Sequence, residues 1–334
     1  MAKKQKLTVA VIGSGSWATA LVKILSENVS HIRWWVRTVK TAEFIRKNSH
    51  NPDYLTDVEL DSKKVVVTTD LEQAVKSSDV IILAVPSAFL KDALGKLAPE
   101  KLKGKIVFSA IKGIVPDDLM IVGEFMNRKY NVPLENFGVI TGPCHAEEVA
   151  MERLSYLTLA SQNSGNTKLL SSLLQCRYIR TTLSDDIYGT EYAAVMKNVI
   201  AIACGIYHGL GYGDNFQAVL VSNAIQEIKR FVDAVHPITR DINDSAYLGD
   251  LLVTCYSQFS RNRTFGTMIG KGYSVKNAQL EMNMIAEGYY AAKCIHQLNR
   301  KLKTRMPITD AVYEILYEKK SAAAVMKELT EKLA

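Results

Sequence analysis

Residues 7–21 read LTVAVIGSGSWATAL, and the fold follows from how this stretch is read. Val9, Ala10, Val11 and Ile12 form a short apolar run rich in β-branched side chains, as a buried strand does. Gly13-x-Gly15-x-x-Ala18 follows at once, and Leu21, Val22 and Leu25 then recur at helical spacing. In a strand–turn–helix unit the first glycine makes the tight turn and the second lets backbone approach a pyrophosphate. A small third residue lets helix and strand pack closely. The helix start adds unpaired N–H groups and the positive end of its dipole. The stretch is therefore read as a dinucleotide site on Gly13 and Gly15, with a plain strand–turn–helix connection as the alternative.

Further strand-like runs lie at His31–Val36, Val65–Thr68, Val80–Val85, Ile106–Ala110, Phe137–Thr141, Leu157–Ala160 and Tyr178–Thr182. Helical patterns separate some of them, at Leu71–Lys76 and Ala88–Leu97. Alternating strands and helices predict a parallel sheet with helices on both faces. Ligands then bind at the carboxyl ends of the strands. Gly13–Trp17, Val85-Pro86-Ser87, Ile111-Lys112-Gly113 and Gly142-Pro143-Cys144 fall at such ends. Arg37 ends the second strand, about 20 residues past the glycine turn, where an acidic residue would favour NAD. An arginine there suits the 2′-phosphate of NADP; the alternative is a solvated surface arginine. From Ile187 onward the pattern is helical. The expected organisation is an α/β, Rossmann-type doubly wound sheet over residues 1–186 and an all-helical domain over 187–334.

The chain of 334 residues is long enough for two domains. It has no apolar run of membrane-spanning length and no signal-peptide pattern, so a cytoplasmic protein without membrane insertion is expected. Its five cysteines are scattered, which predicts reduced thiols. The net charge of +7 is spread rather than blocked, and anionic small molecules account for it as well as nucleic acid does.

Lys197 lies in the apolar helical stretch Glu191–Tyr207, with Ala193, Ala194, Ile200 and Ala201 on its own face. Burial lowers a lysine's pKa and makes it an acid–base group near neutral pH. The alternatives are a snorkelling lysine or one paired with Glu191 or Asp250. Lys112 follows a sheet strand, where it reaches a ligand or caps the strand. Asp250 pairs with a lysine or a substrate hydroxyl, or caps a helix. Arg261 with Asn262 reads as a phosphate cradle, because a guanidinium binds oxyanions bidentately, or else as an exposed charged turn. His145, Glu147 and Glu148 near Cys144 invite a metal reading, but no second cluster completes a site, and none is expected.

Taken in order, these motifs resemble the NAD(P)-dependent glycerol-3-phosphate dehydrogenases of the bacterial type. They are Gly13–Thr19, Ile111-Lys112-Gly113, Gly142-Pro143 with Ala146 and Glu147, Lys197–Ala201, Leu248-Gly249-Asp250, Ser260-Arg261-Asn262 and Glu287-Gly288. The resemblance runs from about Val9 to Tyr317. It implies a homodimer and reversible hydride transfer between NAD(P)H and C2 of dihydroxyacetone phosphate, giving glycerol 3-phosphate for phospholipids. By position Lys197 corresponds to the family's proton donor and acceptor. Lys112, Gly142, Cys144, Asp250, Ser260, Arg261 and Asn262 correspond to substrate contacts. Ser16, Trp17, Arg37, Lys112, Ala146, Arg261, Ile285 and Glu287 correspond to cofactor contacts, with NADP preferred and NAD possible. Cys144 stands where the family usually carries Thr or Ser, and Thr56, Ser222-Asn223-Ala224 and Tyr247 also depart from its pattern. A related two-domain hydroxyacid dehydrogenase and a non-catalytic nucleotide-binding protein are the competing readings.

Overall fold

A computed structural model describes residues 7–282 and 286–333. The chain divides into two units, Met1–Ile111 with Val122–Ile187, and Lys112–Ile121 with Tyr188–Ala334.

The first unit is built on β1 (Val9–Ile12), α1 (Ser16–Asn28), β2 (Ile32–Trp35), α2 (Val39–Asn48), β3 (Val65–Thr68), α3 (Leu71–Lys76), β4 (Val80–Leu83), α4 (Leu90–Leu94) and β5 (Ile106–Ser109). After an excursion into the second unit it resumes with α5 (Val122–Tyr130), β8 (Phe137–Thr141), α6 (Ala146–Ala150), β9 (Ser155–Ala160), α7 (Ser164–Leu174) and β10 (Ile179–Ser184). The eight strands lie in the order β10-β9-β8-β5-β4-β1-β2-β3. β1 and β4 are buried along their whole length, as strands covered on both faces are. From β1 the chain steps outward to β2 and β3, then crosses back to β4 and β5 on the other side. The switch point between the two directions therefore lies at the ends of β1 and β4, where this architecture binds ligands.

The expectation of a parallel sheet needs one correction. β8 and β9 pair antiparallel, with Ile140 opposite Leu159, so β9 and β10 run against the other six. Only the five-residue α6 stands between β8 and β9, and an antiparallel step needs no helical crossover. The expected helix Ala88–Leu97 shortens to α4 behind a 3₁₀ turn at Ser87–Phe89.

The second unit contains the excursion, a hairpin of β6 (Ile114–Val115) and β7 (Met120–Ile121). Its helices are α8 (Ile187–Gly209), α9 (Asp214–Val235), α10 (Asp250–Tyr256), α11 (Arg261–Gly270), α12 (Val275–Glu281), α13 (Glu287–Leu302), α14 (Pro307–Tyr317) and α15 (Ala322–Thr330). Ile114 and Ile121 pack into the same apolar core as α8. The single boundary expected near Asp186 leaves this hairpin in the sheet unit, whereas the chain's division assigns it to the helical one. No strand follows Ile187 among the described residues. α8 is buried along Tyr192–Met196 and Val199–Cys204, so it is the axis on which the other helices pack. A Cβ on Gly266 would lie 2.1 Å from the carbonyl of Ile202, so α8 and α11 touch backbone to backbone.

Candidate functional site

Two sets of candidate residues assemble, one in each unit. In the helical unit the centre is Asp250, which is wholly buried. A buried carboxylate needs partners, and this one has two cations. Lys197 donates to Oδ1, and Lys112 reaches Oδ1 at 3.3 Å and Oδ2 at 3.2 Å. Asp250 gets there because a π-helical turn, Ser245–Gly249, leads into α10. Such turns concentrate at functional sites, where they re-aim a side chain. The capping alternative for Asp250 falls away, since Gly249 holds the cap position and no side chain caps the helix. Tyr247, a departure from the family pattern, is buried within the π turn.

Lys197 is only 5% exposed, which removes the snorkelling alternative, whereas the other alternative, an ion pair with Asp250, is present. Burial strips its ammonium of water and brings the pKa down to about 7, with Asp250 opposing the shift and Lys112 adding to it. For Asp250, burial works upward, but the two lysines outweigh it and hold the carboxyl below its ordinary range. The result is a lysine that exchanges its proton near neutral pH, oriented by an ionised carboxylate.

A second network buttresses the first. Asn198, beside Lys197 on α8, donates to the carbonyl of Lys112 at 2.7 Å. Asn262 donates to Asn198 Oδ1 at 2.9 Å and accepts from the N–H of Gly288 at 2.9 Å. A Cβ at Gly288 would meet the carbonyl of Asn198 at 2.4 Å, so only glycine fits there. Ser260 caps α11 by accepting from the N–H of Arg263 at 3.3 Å. Arg261 is exposed in the first turn of that helix, while Asn262 faces inward. The structure thus divides the expected cradle, with Arg261 outward beside a helix N-terminus and Asn262 tied to Asn198. Sequence reading gave Asn198 no role, although an amide beside Lys197 in so apolar a helix is a readable signal.

In the sheet unit, Gly13 takes φ +136°, and a Cβ there would lie 2.3 Å from the carbonyl of Ala84 at the end of β4. Nothing lies within 4 Å of the Cβ position of Gly15, which starts α1 with no side-chain cap. Ser16 opens the helix. The buried indole N–H of Trp17 has no hydrogen-bond partner among the described residues. An open glycine, an uncapped helix start and an orphan donor at the switch point fit a dinucleotide. Arg37 is exposed just past β2. Gly142 and Cys144 follow β8, and the Cys144 thiol donates to the carbonyl of Tyr156 at 3.1 Å. Ala146 is buried at the start of α6, and Glu287 opens α13. Ile285 lies outside the described residues.

Two family models match the chain, the second beginning close to where α8 begins. The model of the NAD-dependent glycerol-3-phosphate dehydrogenase N-terminus matches residues 8–167, and that of its C-terminus matches 186–327. A glycerol-3-phosphate dehydrogenase [NAD(P)+] of Bacillus velezensis is 35% identical over 326 residues, 96% of this chain and 93% of its own. That of Bacillus subtilis is 34% identical over 324 residues, 96% of this chain and 93% of its own. A crystal structure of glycerol-3-phosphate dehydrogenase from Coxiella burnetii superimposes with a TM-score of 0.89 at 30% identity, covering 98% of this chain and 99% of that one.

Proposed function

The chain belongs to the NAD-dependent glycerol-3-phosphate dehydrogenase family, and from that premise we propose that it interconverts dihydroxyacetone phosphate and glycerol 3-phosphate with Lys197 as proton donor and acceptor. The observation that carries the assignment is the buried Lys197, brought down to about pKa 7 and paired with Asp250. The bound nicotinamide would supply or take the hydride at C2. As negative charge builds on the C2 oxygen, protonated Lys197 donates to it; in reverse, the neutral amine takes the hydroxyl proton. Asp250 orients Lys197, and Lys112, which is less buried, holds the substrate. Arg261, at the N-terminus of α11, takes the phosphate through its guanidinium fork and the helix dipole. The turn Gly13–Trp17 would hold the cofactor pyrophosphate. The product supplies the glycerol backbone of phospholipids, and the enzyme works as a cytoplasmic homodimer. Among the described residues no helix is long and apolar enough to cross a membrane.

The test is turnover. NADPH oxidation should depend on dihydroxyacetone phosphate. Arg261→Lys should raise its KM, because the charge remains but the fork is lost. Unphosphorylated dihydroxyacetone reduced as efficiently as its phosphate would sink the Arg261 assignment, and no turnover of either would sink the function.

A cofactor preference for NADPH is also proposed, resting on the exposed Arg37 at the end of β2. A charge-assisted contact to the 2′-phosphate is worth roughly tenfold or more in affinity. Arg37→Asp should shift the preference toward NADH. Equal dissociation constants for NADPH and NADH in the unmutated protein would count against it.

A further inference from the structure

The glycine turn is held from behind by side chains that the dinucleotide fingerprint does not contain. Asn51 lies between α2 and β3, in irregular chain, yet it is 0% exposed. Its Nδ2 donates to the carbonyl of Ser14 at 3.0 Å and to Thr19 Oγ1 at 2.8 Å. Its Oδ1 accepts from the N–H groups of Asp53 at 3.0 Å and Tyr54 at 3.3 Å. Two donors and two acceptor sites are all an asparagine amide has, and all four are used. The partners also fix its orientation, because Ser14 O only accepts and the two backbone N–H groups only donate.

Asn51 does not act alone. The indole Nε1 of Trp34, fully buried on β2, donates to the carbonyl of Gly13 at 2.6 Å. Thr19 Oγ1, which accepts from Asn51, donates to the carbonyl of Gly15 at 3.1 Å. The carbonyls of Gly13 and Ser14 are thus held by side chains from β2 and from the segment after α2, while that of Gly15 is held by α1 itself, through the N–H of Thr19 at 3.0 Å. In a planar trans peptide the N–H of the next residue points opposite to the carbonyl. Pinning these carbonyls fixes the peptide planes of the turn, and with them the directions of the N–H groups of Ser14, Gly15 and Ser16. Successive N–H groups aimed to one side make an anion-binding concavity. A carbonyl swung forward would set a negative dipole against a phosphate.

We propose that Asn51, with Trp34, is a positioning residue for dinucleotide binding: it clamps the carbonyls of the glycine turn so that its N–H groups are preset for a pyrophosphate. This rests on reading the turn as a dinucleotide site. It adds that affinity is set in part by the segment after α2, through a residue that touches no ligand. Thr56, one of the departures from the family pattern, lies five residues beyond the clamp in the same segment.

The test uses the full chain at a temperature where each variant is folded by circular dichroism. Asn51→Ala removes the clamp without adding charge. Trp34→Phe keeps a ring and removes only the donor on Gly13. NADPH and ADP-ribose, which carries the pyrophosphate without nicotinamide, are titrated into each. Both ligands should bind about tenfold more weakly to Asn51→Ala, with a loss of the same sense in Trp34→Phe. KM for dihydroxyacetone phosphate should change far less than KM for NADPH. A residue that only held the loop would lower the melting temperature and leave both dissociation constants unchanged, which would overturn the clamp. Should Asn51→Ala not fold, unchanged constants in Trp34→Phe overturn it equally. If the unmutated protein binds neither ligand, the dinucleotide reading falls and the clamp with it.

Discussion

Lys197→Met should lower kcat for reduction of dihydroxyacetone phosphate by ~10²–10⁴, the usual share of general acid–base catalysis. Methionine keeps the stem volume and removes the proton. Lys197→Arg should fail comparably, although it keeps the charge beside Asp250, because a guanidinium does not release its proton at neutral pH. The pH profile separates this role from a structural one. Reduction needs the protonated amine, so its rate should fall as pH rises through about 7, the value to which burial brings Lys197. Oxidation of the alcohol needs the neutral amine and should fall as pH drops through the same region. Both limbs should vanish in Lys197→Met. NADPH affinity should change by no more than about twofold, because the lost interaction serves the transition state rather than cofactor binding. Single-turnover reduction and NADPH fluorescence titration measure the two halves. Near-normal kcat would move the donor elsewhere, with Lys112 the next candidate.

What was legible in the sequence was what local pattern determines. β1 and β8 stand where their apolar runs stand, because a strand covered on both faces has few polar positions to blur it. Gly13 was legible because one backbone position demands φ +136° and an unobstructed approach to Ala84. The direction of β9 was not, since an apolar run reads the same from either end. The β6–β7 hairpin has two residues per strand, too few to show a period of two.

The chemistry divides in the same way. A lysine in an apolar helix announces itself, whereas its partner does not. Asp250 lies 53 residues from Lys197 and 138 from Lys112, and local sequence fits a helix cap equally well. Only packing against α8 and the π turn before α10 chooses between them. Asn51 was hidden more completely. An asparagine among turn residues reads as an ordinary turn former, and its burial comes from contacts 32 and 37 residues away. Cys144 shows the opposite limit. Its difference from the family was plain, but its contact with the carbonyl of Tyr156 required the fold.

Asp250→Asn should damage both catalysis and stability, and pH should tell the two apart. The wild-type site sets two lysines around one carboxylate, with Lys197 and Asp250 both shut away from water. Asparagine keeps the shape and removes the charge. The attraction that supports the protonated form of Lys197 is lost, while burial and repulsion from Lys112 remain. Its pKa should therefore fall further below about 7. Reduction at neutral pH then starts from a mostly neutral amine, so kcat drops and the descending limb of its profile moves to lower pH. The stability sign follows from linkage. A lysine whose folded pKa lies below its unfolded value contributes fully above the unfolded value, and that contribution is lost as pH falls toward the folded pKa. In the wild type this loss levels off near pH 7; in Asp250→Asn it continues below. Breaking a buried pair from one side costs about 3–5 kcal/mol when the remaining charge stays buried. Lys197 escapes part of that by releasing its proton, so the deficit should be smaller at pH 8 than at pH 6. Urea unfolding of both proteins at these two pH values measures the deficit, and reduction rates across the same range measure the limb. A deficit that does not change with pH, together with an unmoved limb, would show that Asp250 does not set the protonation of Lys197.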